Sequence, residues 1–311
     1  MVRAEEKKGN EYQADASRLI RDPSERWLSA ISITFITLFS LFCLFPFVLL
    51  VATSFTKESV VVQYGFNLWP RVFSLTSYDI IFKTPGYILG SYIVTVSMTA
   101  VGTTVGLFLV AMTGYALTRP DFAFRNVIMF YIYFTMLFQG GLVPYYMLVK
   151  NTLRLSDNYL AELLPMLMSP WLVMLMRNFA KSIPFSLTES AKVDGANDFY
   201  IFIRVILPML KPALATIGLF LALGYWNEWY NANLFLTNAP YQPLQMFLYN
   251  VVNKSNTIRN SSLLASIPAQ DVPLETMKMA TAVVATGPIV LAYPFVQRYF
   301  IKGITIGAVK G

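Results

Sequence analysis

The sequence predicts an all-α integral membrane protein with six transmembrane helices, and three observations lead to this fold class. Of the 311 residues, 56% are hydrophobic and only 13% are charged, whereas about a quarter of the residues in soluble domains are charged. Six apolar runs approach or exceed the roughly 20 residues that a membrane-crossing helix needs. The basic residues also collect in alternate connecting segments, as they do in cytoplasmic loops.

The composition argues against several functions. The chain has no His and a single Cys43 inside an apolar run, so it offers neither a metal-ligand cluster nor a redox pair. It contains no G-x-x-x-x-G-K-S/T motif, so nucleotide hydrolysis would have to come from another chain. The net charge of +7 is spread between apolar runs, unlike the basic stripe of a nucleic-acid-binding protein. We therefore expect no catalytic residue, metal, cofactor or nucleic acid.

The predicted spans differ in composition. Residues 1–28 are polar, lack the apolar core of a signal peptide, and are predicted to form a cytoplasmic tail. The second span is rich in Gly, Ala, Ser and Thr, which let helices pack closely in lipid, and two prolines break the fourth. Segments 55–85 and 239–275 are predicted to be an interfacial loop and a polar loop. The spans are predicted over residues 29–54, 86–118, 126–149, 158–176, 213–236 and 279–296, within a transmembrane domain 29–303 that a cytoplasmic tail, 304–311, follows.

The stretch 184–212 is polar and helix-forming, and it lies between two strongly apolar segments. Ser186 and Glu189 have the spacing of a capping box, so a short helix is predicted from Leu187 to about Val193. Gly195 then suits a turn, because glycine reaches a left-handed conformation without a Cβ clash.

A second helix is predicted to follow this turn. Asn197 or Asp198 would cap it, and Pro208 would stop or kink it. One apolar stripe would lie along the helix at Phe199, Phe202, Ile203 and Ile206.

At these residues the chain resembles the permease subunits of ABC importers that work with a substrate-binding protein. The family's cytoplasmic loop has the form E-A-A, three residues, G, nine residues, I, one residue, L-P. Ser190 and Val205 depart from it by mild changes. The matching residues are Glu189, Ser190, Ala191, Gly195, Val205, Leu207 and Pro208, with Asp194, Gly195 and Ala196 as the common D-G-A. A capped amphipathic loop on the membrane surface is the alternative reading, in which Glu189 is only a capping residue.

The resemblance implies a fold, a location and partners. The fold is that of a type I ABC importer permease in the bacterial cytoplasmic membrane. The partners are a second, homologous permease, two ATPase subunits that receive the coupling loop 184–212, an extracytoplasmic solute-binding protein, and membrane lipid. Sixteen of the 24 Lys and Arg residues lie on the side of the termini and of this loop, so both termini are predicted to be cytoplasmic.

Other segments look like the carbohydrate-uptake branch, in particular the second permease of the maltose importer. These are the pair Trp226-Asn227 and the ending from Phe300 to Gly311. The run Phe138–Pro144 looks like the subgroup for oligosaccharides cut from polysaccharides. Transport of an oligosaccharide is therefore the predicted function. A non-sugar solute such as an amino acid or peptide is the alternative, and a membrane enzyme or signalling scaffold is a third class.

Two further sets of residues are candidates for contact with substrate or binding protein. Stacked aromatics with amides and carboxylates recognise sugars, and the chain offers these groups at Gln139, Tyr225, Trp226, Asn227 and Glu228. Alternatively, Trp226, Trp229 and Tyr230 form an outer aromatic belt, Glu228 marks the end of the span, and Gln139 lies at an ordinary kink. By the resemblance, the external loop would contact the binding protein through Asn253, Lys254, Ser255 and Asn256.

Overall fold

The computed structural model describes residues 23–83, 85–260 and 273–308, and for 23–26, 85, 255–260 and 292–308 it describes the backbone alone. The described residues form helices, with one isolated antiparallel bridge between Thr56 and Phe73. The all-α prediction is therefore confirmed.

The helices differ greatly in length. Two short π-helical segments, Leu148–Thr152 and Phe202–Ile206, directly follow short α-helices that end at Met147 and Ile201. The α-helices are α1 Pro23–Ser54, α2 Glu58–Tyr64, α3 Thr76–Phe82, α4 Pro85–Ala116, α5 Arg125–Leu137, α6 Leu142–Met147, α7 Leu160–Met166, α8 Pro170–Ala180, α9 Ser186–Val193, α10 Asp198–Ile201, α11 Leu207–Met209, α12 Lys211–Trp226, α13 Tyr230–Phe235, α14 Leu244–Asn260 and α15 Leu274–Ala308.

Three described helices are long and apolar enough to cross a membrane alone: α1, α4 and α15, the last over Leu274–Leu291. Three bent pairs meet the same criteria together, which brings the possible spans in the described residues to six. The bends are 117° between α5 and α6, 40° between α7 and α8, and 86° where the helices after Asn197 meet α12. The predicted break of the fourth span at its prolines is confirmed by the α7–α8 bend.

The third predicted span is a bent pair, α5 and α6, and the kink considered for Gln139 lies at its break. The helix stops at Leu137, and Gly141 has a φ of +88°, which favours glycine because a side chain would clash there. Gln139 therefore lies in the break between α5 and α6 rather than on a helix face, and its side chain is exposed.

The prediction of a polar loop over residues 239–275 was also wrong, because α14 occupies much of it. Its many Asn and Ser residues suggested a loop. An apolar stripe at helical spacing nevertheless runs along it from Leu244 through Phe247 and Leu248 to Val251. Leu244 is buried against Trp226 and Ala285, so packing decides the local structure. The interfacial segment 55–85 likewise contains two short helices, α2 and α3.

The largest core cluster joins α4, α8 and α12 to the helices after Asn197. Buried members include Val110, Val173, Met176, Ile206 and Ile217. Glycines on α4 permit this close packing: a Cβ on Gly102 would meet the Tyr225 ring, and one on Gly114 would meet Met176. The prediction that the small residues of the second span bring helices together is confirmed at these contacts.

A buried carboxylate fixes the start of α15. Glu58 accepts hydrogen bonds from the backbone N–H groups of Glu275 and Thr276, both at 2.9 Å, and from the Thr276 hydroxyl at 2.7 Å. An acid at a helix N-terminus satisfies donors that the helix leaves unpaired and complements its dipole. The helix also packs against α1, whose side chains face outward along most of its length.

Candidate functional site

The segment 184–212, the predicted coupling loop, contains α9 near its start. This helix is close to the predicted one but is not held by the predicted capping box. The helix starts one residue earlier, at Ser186, and its N-cap position is Phe185, which makes no side-chain cap. The Phe185 carbonyl instead accepts from the backbone N–H groups of Thr188 and Glu189. Glu189 is exposed, and within the described part of the chain no hydrogen bond or salt bridge of its carboxylate is found. The carboxylate is therefore available to a partner.

Gly195 ends α9 as predicted. Its φ is +82°, its N–H donates to the Lys192 carbonyl at 3.0 Å, and the N–H of Ala196 donates to the Ala191 carbonyl at 3.0 Å. These two bonds form a Schellman motif, which needs a left-handed residue at the position of Gly195. The predicted role of the glycine as the turn is confirmed.

The second helix of the loop is capped by Asn197, whose Oδ1 accepts from the backbone N–H of Tyr200 at 2.8 Å. From Phe202 to Ile206 the helix is π rather than α. Of the residues in the predicted apolar stripe, Phe202 and Ile206 are buried, whereas Phe199, which precedes the π segment, is 62% exposed.

Four charged side chains tie the coupling loop to the turn between α4 and α5. Arg119 contacts Asp121 and donates to Asp198 at 2.7 Å, and Lys192 donates to Asp121 at 2.8 Å. The Arg119 guanidinium, assisted by Lys192, holds the pKa of the Asp121 carboxyl well below its usual range. The hydrogen bond to Asp121 raises the pKa of the Lys192 ammonium. We call these four residues, Arg119, Asp121, Lys192 and Asp198, the loop clamp.

Most of the residues that carry the family motif meet in one place. They line an open cavity of about 550 Å³ on the surface of the loop. Val193 is 88% exposed beside it and Tyr200 is 55% exposed. The lining residues are Ala191, Asp194, Gly195, Ala196, Asn197, Tyr200 and Val205. Ser190 and Pro208 are exposed and Leu207 is half-buried in the same loop.

Two of the predicted pathway residues are buried by helix packing. The Tyr225 hydroxyl donates to the Leu163 carbonyl at 2.9 Å, and the ring covers Gly102. The Trp226 indole N–H donates to the Ala285 carbonyl at 3.3 Å. Both side chains hold α12 against its neighbours in this structure, and contact with a substrate stays a prediction.

Asn227 and Glu228 lie in the break between α12 and α13. The Asn227 amide donates to the Leu223 carbonyl at 2.9 Å. Glu228 accepts from the backbone N–H of Asn231 at 2.6 Å, and Asn231 in turn accepts from the Tyr145 hydroxyl at 2.8 Å. Glu228 thus anchors the start of α13, which agrees with the alternative that it marks the end of the span. Through Tyr145, the segment that follows the break at Gln139 packs onto the same helix.

A second acid, Glu162, lies near this break and was not among the predicted site residues. Glu162 on α7 is 1% exposed, and neither of its carboxylate oxygens accepts a hydrogen bond within the described residues. Acids in membrane spans are rare and usually functional, so its place within the fourth apolar run was the signal that could have identified it.

The predicted contacts for the binding protein, residues 253–256, lie in the second half of α14. Lys254 is exposed and lines a second cavity of about 550 Å³, together with residues of α13 and α14 and with Tyr87. Ser255 and Asn256 belong to the helix, but their side chains lie outside the described part of the structure.

Comparisons with known proteins agree with this geometry. Residues 102–306 match the family model described as binding-protein-dependent transport system inner membrane component. The chain is 42% identical over 279 residues to the polygalacturonan/rhamnogalacturonan transport system permease protein YtcP of Bacillus subtilis, covering 89% of this chain and 96% of the relative. It is 29% identical over 281 residues to the arabinooligosaccharides transport system permease protein AraQ of the same organism, and the match covers 89% of this chain and 94% of the relative.

A solved structure is similar over almost the whole fold. It is a chain from the crystal structure of a bacterial ABC transporter involved in the import of the acidic polysaccharide alginate, with a TM-score of 0.77 and 30% identity. The match covers 90% of this chain and 99% of that one.

Proposed function

Because the chain belongs to the family of binding-protein-dependent transport system inner membrane components, we propose that it forms half of the translocation pathway of an ATP-driven oligosaccharide importer. The observation that carries the proposal is the cavity on the coupling loop, where residues of the family motif lie together on an exposed surface. The names of the similar proteins, which refer to oligosaccharides or polysaccharides, favour sugar over an amino acid or peptide.

In the proposed assembly the chain pairs with a second, different permease. Two ATPase subunits supply hydrolysis, and each permease receives their motion through its coupling loop. The chain lies in the bacterial cytoplasmic membrane with both termini and the coupling loop in the cytoplasm, and an external binding protein delivers the substrate. The residues proposed to meet the ATPase are Glu189, Ser190, Ala191, Asp194, Gly195, Ala196, Leu207 and Pro208.

The loop clamp supports the coupling role. Charge-assisted hydrogen bonds are stronger and more directional than neutral ones, and here they join α9 and the start of α10 to the turn after α4. The hydrophobic side of the loop packs on the core that contains α4, α8 and α12. A movement of the ATPase bound at the cavity would therefore shift the ends of several spans together, as alternating access requires.

The substrate pathway is proposed to pass the breaks in the third and fifth spans, at Gln139, Tyr225, Trp226, Asn227 and Glu228. Irregular backbone at membrane depth is tolerated where it lines a cavity or is buried in protein. The exposed Gln139 and Asn227 fit this role best. At the outer surface, Asn253, Lys254, Ser255 and Asn256 are proposed to face the binding protein.

Reconstitution tests the proposal. The chain would be co-expressed with the permease, ATPase and binding protein of its own system, purified by a tag on this chain, and placed in vesicles. We expect the other subunits to co-purify and ATP-dependent uptake of an oligosaccharide to exceed uptake of a peptide or an amino acid of similar size. Uptake of the peptide alone would support the non-sugar alternative, and failure of any ATPase or permease to co-purify would overturn the proposal.

A further inference from the structure

The second cavity lies on the outer side of the proposed topology. Its lining has the composition of a carbohydrate site and includes one positively charged side chain, Lys254. It lies where α13, α14 and the start of α4 meet, and its volume of about 550 Å³ is within the range of small-ligand sites. The groups that can recognise a sugar are Tyr87, Asn233, Gln242, Phe247, Asn250 and Lys254. None of the residues assigned to the pathway break or the coupling loop lines this cavity.

One wall of the cavity is aromatic. The ring centroids of Tyr87 and Phe247 are 5.7 Å apart, and Tyr87 also contacts the ring of Tyr241 at 6.2 Å. Packed rings of this kind present a rigid apolar surface to the C–H face of a sugar, which stacks on aromatic side chains.

The polar wall is held in place by its own hydrogen bonds. The Asn250 amide donates to the Gln242 side-chain oxygen at 2.7 Å, and the Gln242 amide donates to the Leu236 carbonyl at 3.1 Å. These bonds orient two amides at the cavity before any ligand arrives. Oriented amides offer both donors and acceptors to hydroxyl groups, and preorganisation reduces the ordering cost of binding.

Lys254 adds a positive charge that is not neutralised within the described residues, because no salt bridge there includes its ammonium group. A sugar carboxylate in the cavity can therefore form a charge-assisted hydrogen bond with the Lys254 ammonium.

We propose that this cavity is an entry subsite for a uronic-acid unit of an anionic oligosaccharide, with Lys254 pairing the carboxylate, Tyr87 and Phe247 stacking on the ring, and Asn250 and Gln242 bonding the hydroxyls. The proposal rests on the oligosaccharide transport proposed above and narrows its substrate class. Similarity to proteins named for polygalacturonan and for the acidic polysaccharide alginate agrees with it.

The test measures binding of trigalacturonate, and of the neutral trimer in which each carboxylate is reduced to a hydroxymethyl group, to the assembled permease–ATPase complex in nanodiscs without the binding protein. We expect the acidic trimer to bind at least about tenfold more tightly, a preference that shrinks as salt screens the charge. Lys254→Gln should abolish the preference and Lys254→Arg should keep it. Lys57→Gln is the matched control, because Lys57 is also exposed and lies outside this cavity.

Several outcomes separate the possibilities. Equal binding of the two trimers, or a preference that survives Lys254→Gln, overturns the subsite. Unchanged trimer binding with weaker docking of the binding protein in Lys254→Gln also overturns it, and it would assign Lys254 to the protein contact instead. If the subsite fails but the full system takes up neutral oligosaccharides, the proposed function still stands. If the full system takes up neither of the two trimers, that result counts against the proposed function itself.

Discussion

At the scale of single residues, Glu162 and Glu228 are two acids in neighbouring spans with opposite surroundings. Glu228 accepts a backbone hydrogen bond at the start of α13, whereas Glu162 is buried without a donor in the described residues. A buried polar group without a partner costs free energy. A group that is retained in spite of such a cost is a candidate for a functional role.

This contrast gives a prediction for the two acids. Glu162→Leu should raise the free energy of unfolding by about 1–3 kcal/mol, because it removes an unpaired polar group. Glu228→Leu should lower it, because the N–H of Asn231 loses its acceptor. Thermal unfolding of the purified complexes measures both. A Glu162→Leu variant that is more stable but transports poorly would identify an acid kept for function, and one that unfolds as early as Glu228→Leu would show that the acid is structural.

The second prediction at this scale concerns the turn of the coupling loop. Gly195→Ala should strain the loop by about 1–2 kcal/mol, since an L-residue is forced into the left-handed region, and uptake should fall strongly. Gly287→Ala is the control, because Gly287 is helical and a Cβ there meets nothing within 4 Å. Glu189→Ala should also abolish uptake, but without loss of stability, because its side chain makes no intramolecular bond in the described structure.

Uptake and thermal unfolding would be measured together for these variants. Normal uptake by both Gly195→Ala and Glu189→Ala would mean that the loop is only an amphipathic surface segment. A fall in Tm for Glu189→Ala equal to that of Gly195→Ala would restore a capping role for the acid.

At the scale of elements, the loop clamp determines whether the coupling loop moves as one body with the spans. Arg119→Gln removes the side chain that bonds both Asp121 and Asp198, so amide exchange over 186–200 should rise several-fold at neutral pH. Arg204→Gln is the control, because Arg204 is exposed in the same loop and forms no salt bridge in the described residues. Equal exchange in the two variants would show that hydrophobic packing alone holds the loop.

The pH dependence of the clamp follows from the directions of the pKa shifts. The pKa of Asp121 is lowered in the folded protein, so its contribution is fully present above the ordinary range for Asp, about 4, and is lost as the pH falls through the lower, folded value. The pKa of Lys192 is raised, so its contribution is lost only at strongly alkaline pH. The protection factor of the loop amides in the wild type, which is the exchange rate corrected for the intrinsic pH dependence of exchange, should therefore be flat between about pH 5 and 9, and a transition within that window would contradict the assignment.

The elements also show where sequence patterns succeed. Long uncharged runs predicted α1, α4 and α15, because a helix that faces lipid must be made mostly of apolar residues. Gly195 and Asn197 were identified because left-handed turns and caps accept few residue types. The helix α14 was missed because tertiary packing decides it: Leu244 is buried against Trp226 and Ala285, and neither partner is near it in sequence. The outer cavity depends on such distant contacts and could not have been predicted.

At the scale of the whole molecule, much of the apolar surface of the described residues is exposed. The side chains of α1 remain exposed over most of its length, and α5 has no buried residue. Exposed apolar faces of this extent require lipid or another protein. The proposed assembly supplies both, with lipid around the spans, a second permease beside them, and an ATPase below the coupling loop.

The most direct test of this account is a cross-link from the coupling loop. A photoreactive phenylalanine analogue would replace Val193, which is 88% exposed next to the motif cavity, and in a second variant Phe66, which is 50% exposed in the segment between α2 and α3 on the predicted outer side. We predict that illumination of the assembled complex in membranes joins position 193 to the ATPase subunit and that position 66 gives no such product. The absence of the ATPase adduct at position 193, or an equal yield at position 66, would contradict the proposed coupling role.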